Sequence, residues 1–128
     1  MKMRFFGLMA GLLLCLSCNS QSKVSVISPE DFAKAIASDS TAVVLDVRQK
    51  AEFESGHLQG AILLNFLDKT EFDKGLQGLD KSKTYYLYCR SGRRSNQAAN
   101  RMLKEGFKVF DMKGGIIEWQ KAGLPSVR

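Results

Sequence analysis

The chain has 128 residues, enough for one domain and too few for two or for a repeat array. Hydrophobic residues make up 45% and charged residues 25%, which excludes a low-complexity or disordered chain and leaves enough apolar material for a core. The formal net charge of +6 is mildly basic, but its clearest cluster is the short run Arg90, Arg93 and Arg94 rather than a nucleic-acid-reading module, so no nucleic-acid partner is expected.

Lys2 and Arg4 open the chain, and an apolar stretch follows from Phe5 to Leu16. At ~12 residues this stretch is too short for a membrane-spanning helix, which needs roughly 20, and it has the length of the apolar part of a secretory signal. Cys15-Leu16-Ser17-Cys18 resembles the lipobox of bacterial lipoproteins, with Cys15 where leucine is usual. That resemblance implies a signal peptide over residues 1–17, cleavage before Cys18 and lipidation of Cys18. The protein would then be anchored to a membrane in the cell envelope, periplasmic or outer-surface. A plain secretory signal cut nearby is the alternative. Loss of Lys2 and Arg4 lowers the charge from +6 to +4. Residues 18–23 read as the anchored cysteine and a short tether, and residues 24–128 as the folded domain.

Val24 to Ile27 reads as a short strand. Ser28-Pro29-Glu30-Asp31 is a helix start: a serine cap, a proline at the first helical position and an acid three residues after the cap, which predicts a capping box. The helix runs to about Ala37, with Phe32, Ala35 and Ile36 on its apolar face. Ala42 to Val47 is a β-branched run of the kind found in buried strands. Lys50 to Ser55 reads as a short helix ended by Gly56, Ala61 to Leu64 as a strand, and Asp68 to Leu76 as a helix. Thr84 to Tyr88 predicts a strand. Ser95 to Glu105 predicts a helix whose buried stripe is Ala98, Ala99, Met102 and Leu103, with Gln97, Arg101 and Lys104 in water. Phe107 to Phe110 is a last strand and Ile116 to Lys121 a last helix. Alternating strands and helices predict an α/β domain with a mostly parallel sheet and helices on both faces.

Ligands in such sheets bind beyond the carboxyl ends of the strands, and Cys89 closes the Thr84–Tyr88 strand. Of the three cysteines, Cys15 falls in the signal and Cys18 would be lipidated, leaving Cys89 as the free thiol. One thiol cannot build a disulfide framework, and a lone exposed thiol outside the cytoplasm is prone to oxidation. Cys89 is therefore either buried and inert or kept for its chemistry. The loop Arg90-Ser91-Gly92-Arg93-Arg94-Ser95 leads straight into a helix, whose first amides lack internal partners and favour negative charge. Gly92 allows a tight curl, and the arginines add positive charge. These features favour a thiolate that needs no separate base.

Cys89-Arg90-Ser91-Gly92-Arg93-Arg94 resembles the Cys-x-x-Gly-x-Arg active loop of rhodanese-like domains. Asp46-Val47-Arg48, Glu52-Phe53, Gly56-His57-Leu58, Gly60-Ala61, Asn65, Gly114-Gly115 and Trp119 match further positions of that family in order, from about Val24 to Pro125. The resemblance implies the rhodanese-like three-layer α/β fold and a sulfurtransferase. Its Cys89 nucleophile would take sulfur from a small anionic donor such as thiosulfate, and the resulting persulfide would pass it to cyanide or a thiol acceptor. Arg90, Ser91, Gly92, Arg93, Arg94 and Ser95 would form the substrate pocket, with Arg94 as the anion clamp. Neither a metal nor a cofactor is expected, and a monomer is the default. A lone exported thiol needs an outside acceptor, for which a thioredoxin-like protein is the candidate.

Two other functions compete. One is a non-catalytic sulfur-carrier or interaction module for a periplasmic redox partner. The other is a cysteine phosphatase or arsenate reductase-like enzyme, but phosphatases of the related fold carry a Cys-x5-Arg loop and this chain has Cys-x4-Arg. His57 is expected to be structural. Asp46 and Arg48 read as structural or pocket-lining, with Arg48 and Glu52 spaced for a local ion pair. Gly114-Gly115 predicts a tight turn close to the active loop, and Trp119 a core position. Of Tyr85, Tyr86 and Tyr88, most are expected to pack, with one left free to reach the pocket.

Overall fold

The computed structural model describes residues 23–128; the segment expected to be a signal, Cys18 and most of the expected tether lie outside them. Five strands form the sheet: β1 (Ser25–Ile27), β2 (Ala42–Asp46), β3 (Ile62–Leu63), β4 (Thr84–Tyr88) and β5 (Lys108–Met112). All neighbours pair in parallel, in the order β1-β5-β4-β2-β3. Five helices connect and cover them: α1 (Pro29–Ser38), α2 (Lys50–Ser55), α3 (Lys69–Gln77), α4 (Arg93–Lys104) and α5 (Gly115–Lys121). A parallel sheet needs crossovers on its faces, and the apolar pattern of each strand decides which helix it receives.

One face packs against α1 and α5 through Phe32, Tyr86, Tyr88, Met112, Ile116 and Trp119. The other packs against α3 and α4 through Phe72, Leu76, Leu87, Ala98, Ala99 and Met102. Burying a leucine or phenylalanine of this kind stabilises by ~1.5–3 kcal/mol. The result is the expected three-layer α/β arrangement. β4 is central, and its register with β2 sets Asp46 beside Tyr88, so the carboxyl ends of both strands meet next to Cys89.

Several boundaries differ from expectation for physical reasons. α4 starts at Arg93 rather than Ser95, because Gly92 acts as its N-cap with φ +101°, a conformation that carries no side-chain cap signal. Leu103 is only partly buried. β5 continues to Met112, two residues past Phe110, since its ladder with β1 pairs Asp111 and Met112 with Val26 and Ile27. Ser28 caps α1 by accepting from the Asp31 amide at 3.1 Å. The reciprocal acid-to-cap bond appears instead at α2, where the Gln49 amide donates to Glu52 Oε1 at 3.3 Å.

Candidate active site

Cys89 follows the last residue of β4 and is 1% exposed. The Gly92 amide donates to its Sγ at 3.1 Å and the Ser95 hydroxyl at 3.3 Å. The first is a backbone amide of the loop crest, and the second is a side-chain hydroxyl from the first turn of α4 that also lies 3.3 Å from the Gly92 carbonyl. The helix start also directs its positive end toward the sulfur. Both donors point at the sulfur, and burial keeps bulk water from it.

The other wall of the loop is the start of α5. The Ile116 and Ile117 amides donate to the Cys89 and Arg90 carbonyls at 2.9 and 3.2 Å. Gly114 and Gly115 have φ of +74° and +63°. A Cβ on Gly115 would stand 2.6 Å from the Cys89 carbonyl oxygen and 2.5 Å from the Arg90 carbonyl carbon. Here glycine is needed twice over, for its left-handed backbone and for the close approach. This is the predicted tight turn beside the active loop.

The arginines divide into two groups. Arg90 and Arg93 are exposed, and neither forms a salt bridge among the described residues. Arg94, expected from the sequence to clamp the anion, instead puts Nη1 and Nη2 on the two Glu52 oxygens at 2.8 and 2.9 Å. That bond is the main cause holding Glu52 below the ordinary glutamate range and Arg94 above its own. The expected Arg48–Glu52 ion pair does not form. The Arg48 side chain turns inward to Asp46 at 2.7 Å and to the Gly56 carbonyl at 2.6 Å, and Glu52 is left for Arg94. Burial opposes the Arg48 charge, but Asp46 outweighs it and raises the guanidinium.

Asp46 is itself buried and takes three groups: the Arg48 amide, the Arg48 guanidinium and the Tyr88 hydroxyl at 2.6 Å. Tyr88 also accepts from the Leu58 amide at 3.1 Å. Burial first, and then Asp46, push the Tyr88 phenol far up. No tyrosine hydroxyl reaches the sulfur: Tyr85 donates to the Asp80 carbonyl and Tyr86 to Asp39. Burial, helped by Asp39, pushes Tyr86 up to about 12. His57 is structural, with its ring stacked on Phe53 at 3.7 Å and Nδ1 on the Phe53 carbonyl. Trp119 is core, 4% exposed.

Sequence reasoning missed Asp111. It is 2% exposed and faces α4, where Asn96 Nδ2 donates to its Oδ2 at 3.3 Å, while Oδ1 has no partner among the described residues. Burial raises this acid above the ordinary carboxylate value. An apolar groove of about 600 Å³ lies between α1, β2 and α5, lined by Ile36, Val44, Leu58, Ile62, Trp119 and Leu124. It contains no titratable group and does not touch the Cys89 loop. Among the described residues no group of three or more His, Cys, Asp or Glu side chains could hold a metal, and no helix is long and apolar enough to cross a membrane.

The fold and loop together define a domain in which a single thiol closes a central parallel strand inside a ring of backbone and hydroxyl donors. Residues 28–122 match the rhodanese-like domain family, and the chain belongs to it. Among curated relatives, a candidate sulfur carrier protein of Bacillus subtilis (strain 168), YrkF, is 35% identical over 104 residues, covering 80% of this chain and 55% of the relative. A tRNA uridine(34) hydroxylase of Staphylococcus aureus (strain JH9) is 36% identical over 99 residues, covering 74% of this chain and 31% of the relative. The chain thus spans about half, or less, of these relatives. A crystal structure of a rhodanese-related protein from Thermoplasma volcanium superposes with TM-score 0.72 at 28% identity, over 80% of this chain and 97% of that one. A thiosulfate sulfurtransferase from Pseudomonas aeruginosa gives 0.66 at 26% identity, over 84% of this chain and 20% of that one. The family therefore includes enzymes.

Proposed function

We propose that the protein is a sulfurtransferase that carries sulfane sulfur as a persulfide on Cys89. The observation that carries this reading is the Cys89 Sγ held by the Gly92 amide and the Ser95 hydroxyl, with Arg90 and Arg93 unpaired on the surface beside it. The similarity to a sulfur carrier and to a thiosulfate sulfurtransferase supports it.

In the first half-reaction the Cys89 thiolate attacks the outer sulfur of thiosulfate. A new S–S bond forms to Sγ, the donor's S–S bond breaks, and sulfite leaves with the electron pair. In the second, a nucleophile such as cyanide or a thiolate attacks the outer sulfur and returns Cys89 as thiolate. No external oxidant is required. The Gly92 and Ser95 donors hold negative charge on sulfur in both states. Arg90 and Arg93 draw the dianionic donor to the loop. Arg94, already balanced by Glu52, serves as a strut that ties the first turn of α4 to α2. The assay is thiocyanate formation from thiosulfate and cyanide. Wild type should turn over and Cys89→Ser should not; equal background in both would refute the activity.

The carrier role is favoured by one further observation, the 1% exposure of Cys89. Sulfur so enclosed passes to an acceptor that reaches into the loop, and a thioredoxin-like protein with a protruding thiol fits that demand. The site is proposed to work at the cell envelope, with the chain anchored through lipidated Cys18 and monomeric. Membrane fractionation tests the anchor: the full-length chain should sediment with membranes, and Cys18→Ala should release it.

A further inference from the structure

Lys113 follows the last residue of β5 and is exposed, yet its backbone lies against the sulfur loop. A Cβ on Gly92 would stand 3.3 Å from the Gly114 amide nitrogen and 3.8 Å from the Met112 carbonyl oxygen. Those two atoms belong to the peptide groups on either side of Lys113. The Gly92 amide in turn donates to Cys89 Sγ at 3.1 Å. A single residue, Gly92, therefore stands between Lys113 and the sulfur. The Lys113 amide donates to the Ile27 carbonyl at 2.8 Å, so the fold fixes the start of the side chain and leaves its ammonium in water.

Arg90 and Arg93 meet Lys113 at the same point. The Arg90 carbonyl accepts from the Ile117 amide at 3.2 Å, which ties it to the turn that Lys113 opens, and Arg93 directly follows Gly92. None of the three forms a salt bridge among the described residues. The acids around them are engaged or enclosed. Glu118 lies against Gly114 and pairs with Lys121 at 3.2 Å, Glu52 pairs with Arg94, Asp46 pairs with Arg48, and Asp111 is 2% exposed. The exposed α1 acids Glu30 and Asp31 form no ion pair with Lys113. Three unbalanced cations from three segments thus surround a sulfur that is 1% exposed. A molecule that reaches the sulfur passes through their field, which draws anions in and repels cations.

We propose that Lys113 is a specificity-determining residue: with Arg90 and Arg93 it forms a three-cation rim that selects sulfur acceptors whose thiol is flanked by carboxylates. In that step the acceptor thiolate attacks the outer sulfur of the Cys89 persulfide. A new S–S bond forms on the acceptor, the bond to Sγ breaks, and Cys89 leaves with the electron pair as thiolate. The acceptor departs as its own persulfide, and no oxidant or reductant enters. Such a thiol can be a free small molecule or a protein cysteine in acidic surroundings, and the charge read at the rim is the same. The proposal rests on Cys89 carrying the sulfur and adds which acceptors receive it.

The experiment loads Cys89 of the full-length chain with sulfur and follows single-turnover transfer at low salt, in wild type, Lys113→Gln and Lys113→Arg. One series of acceptors is mercaptosuccinate, 2-mercaptoethanol and cysteamine, which carry two negative charges, none and one positive charge beside the thiol. The other is a pair of capped peptides, Glu-Cys-Glu and Lys-Cys-Lys. Each rate is divided by that thiol's rate with a neutral small disulfide, which cancels differences in thiolate fraction and nucleophilicity. The corrected rates should climb with negative charge. One cation at a distance on the order of 8 Å in water contributes about twofold per acceptor charge. Lys113→Gln should therefore shrink the advantage of mercaptosuccinate over 2-mercaptoethanol about fourfold, Lys113→Arg should restore it, and salt at about 1 M should erase it. A damaged fold lowers every rate in proportion and leaves the charge preference intact. A preference confined to the peptides points to a protein acceptor, and one in the small thiols to a free one. No preference in either series, or the full wild-type preference kept in Lys113→Gln, overturns the proposal. Failure of Cys89 to load sulfur at all would instead refute the sulfurtransferase reading.

Discussion

Gly115→Ala is the sharpest single test of how the α5 turn supports the sulfur loop. The substitution costs twice. The residue has φ +63°, where an L side chain loses about 1 kcal/mol. The new Cβ would also stand 2.6 Å from the Cys89 carbonyl oxygen, and the atoms it meets are backbone that cannot swing aside. Overpacking of this kind adds ~1–3 kcal/mol, for a total of about 3 kcal/mol. Gly123→Ala is the matched control, with φ +73° and nothing within 4 Å of its Cβ, so it should lose only the backbone part, about 1 kcal/mol. Urea unfolding of both variants gives the difference directly. Because the clash falls on Cys89 and Arg90, Gly115→Ala should also slow sulfur uptake by Cys89, while Gly123→Ala should not. Equal stabilities, or full-speed sulfur uptake in Gly115→Ala, would refute the argument that this turn buttresses the loop.

Tyr88→Phe removes a hydroxyl shared by the Asp46 carboxylate and the Leu58 amide, all buried, and should cost about 3 kcal/mol in urea unfolding, since it loses a charged hydrogen bond and orphans an amide. Glu52 is held below its ordinary value chiefly by Arg94, so its contribution is present above the unfolded glutamate pKa and is lost as pH falls through the lower folded value. The pair is about a quarter exposed, so Glu52→Gln should cost only about 1 kcal/mol near neutral pH and converge on wild type in acid, measured by unfolding at several pH values. Arg90→Gln with Arg93→Gln should raise KM for thiosulfate several-fold and flatten its salt dependence, while leaving alkylation by neutral iodoacetamide within about twofold.

The strand Thr84–Tyr88 and the helix cap Ser28 were legible because each is written in local chemistry: an aromatic run, or an oxygen placed three residues before an amide. So was the loop, since Cys89, Gly92 and Ser95 are contiguous and meet in space. The α4 start was not, because its N-cap is a left-handed glycine followed by two arginines, which resembles more loop. The role of Arg94 depended on which acid the α2 helix turns toward it. Glu52 is 42 residues away in sequence, a pairing that only the packing of α2 against the loop determines. Asp111 was hidden for a related reason. It stands one residue past the expected strand end at Phe110, and nothing local says that β1 extends the ladder over it.

The central claim is that Cys89 alone carries the sulfur. Intact-protein and peptide mass spectrometry before and after thiosulfate tests it most directly, with Cys89→Ser alongside. The account predicts a gain of about 32 Da, one sulfur, on the peptide containing Cys89, reversed by cyanide and absent in the variant. No gain from thiosulfate or polysulfide, or the same gain in Cys89→Ser, would contradict it.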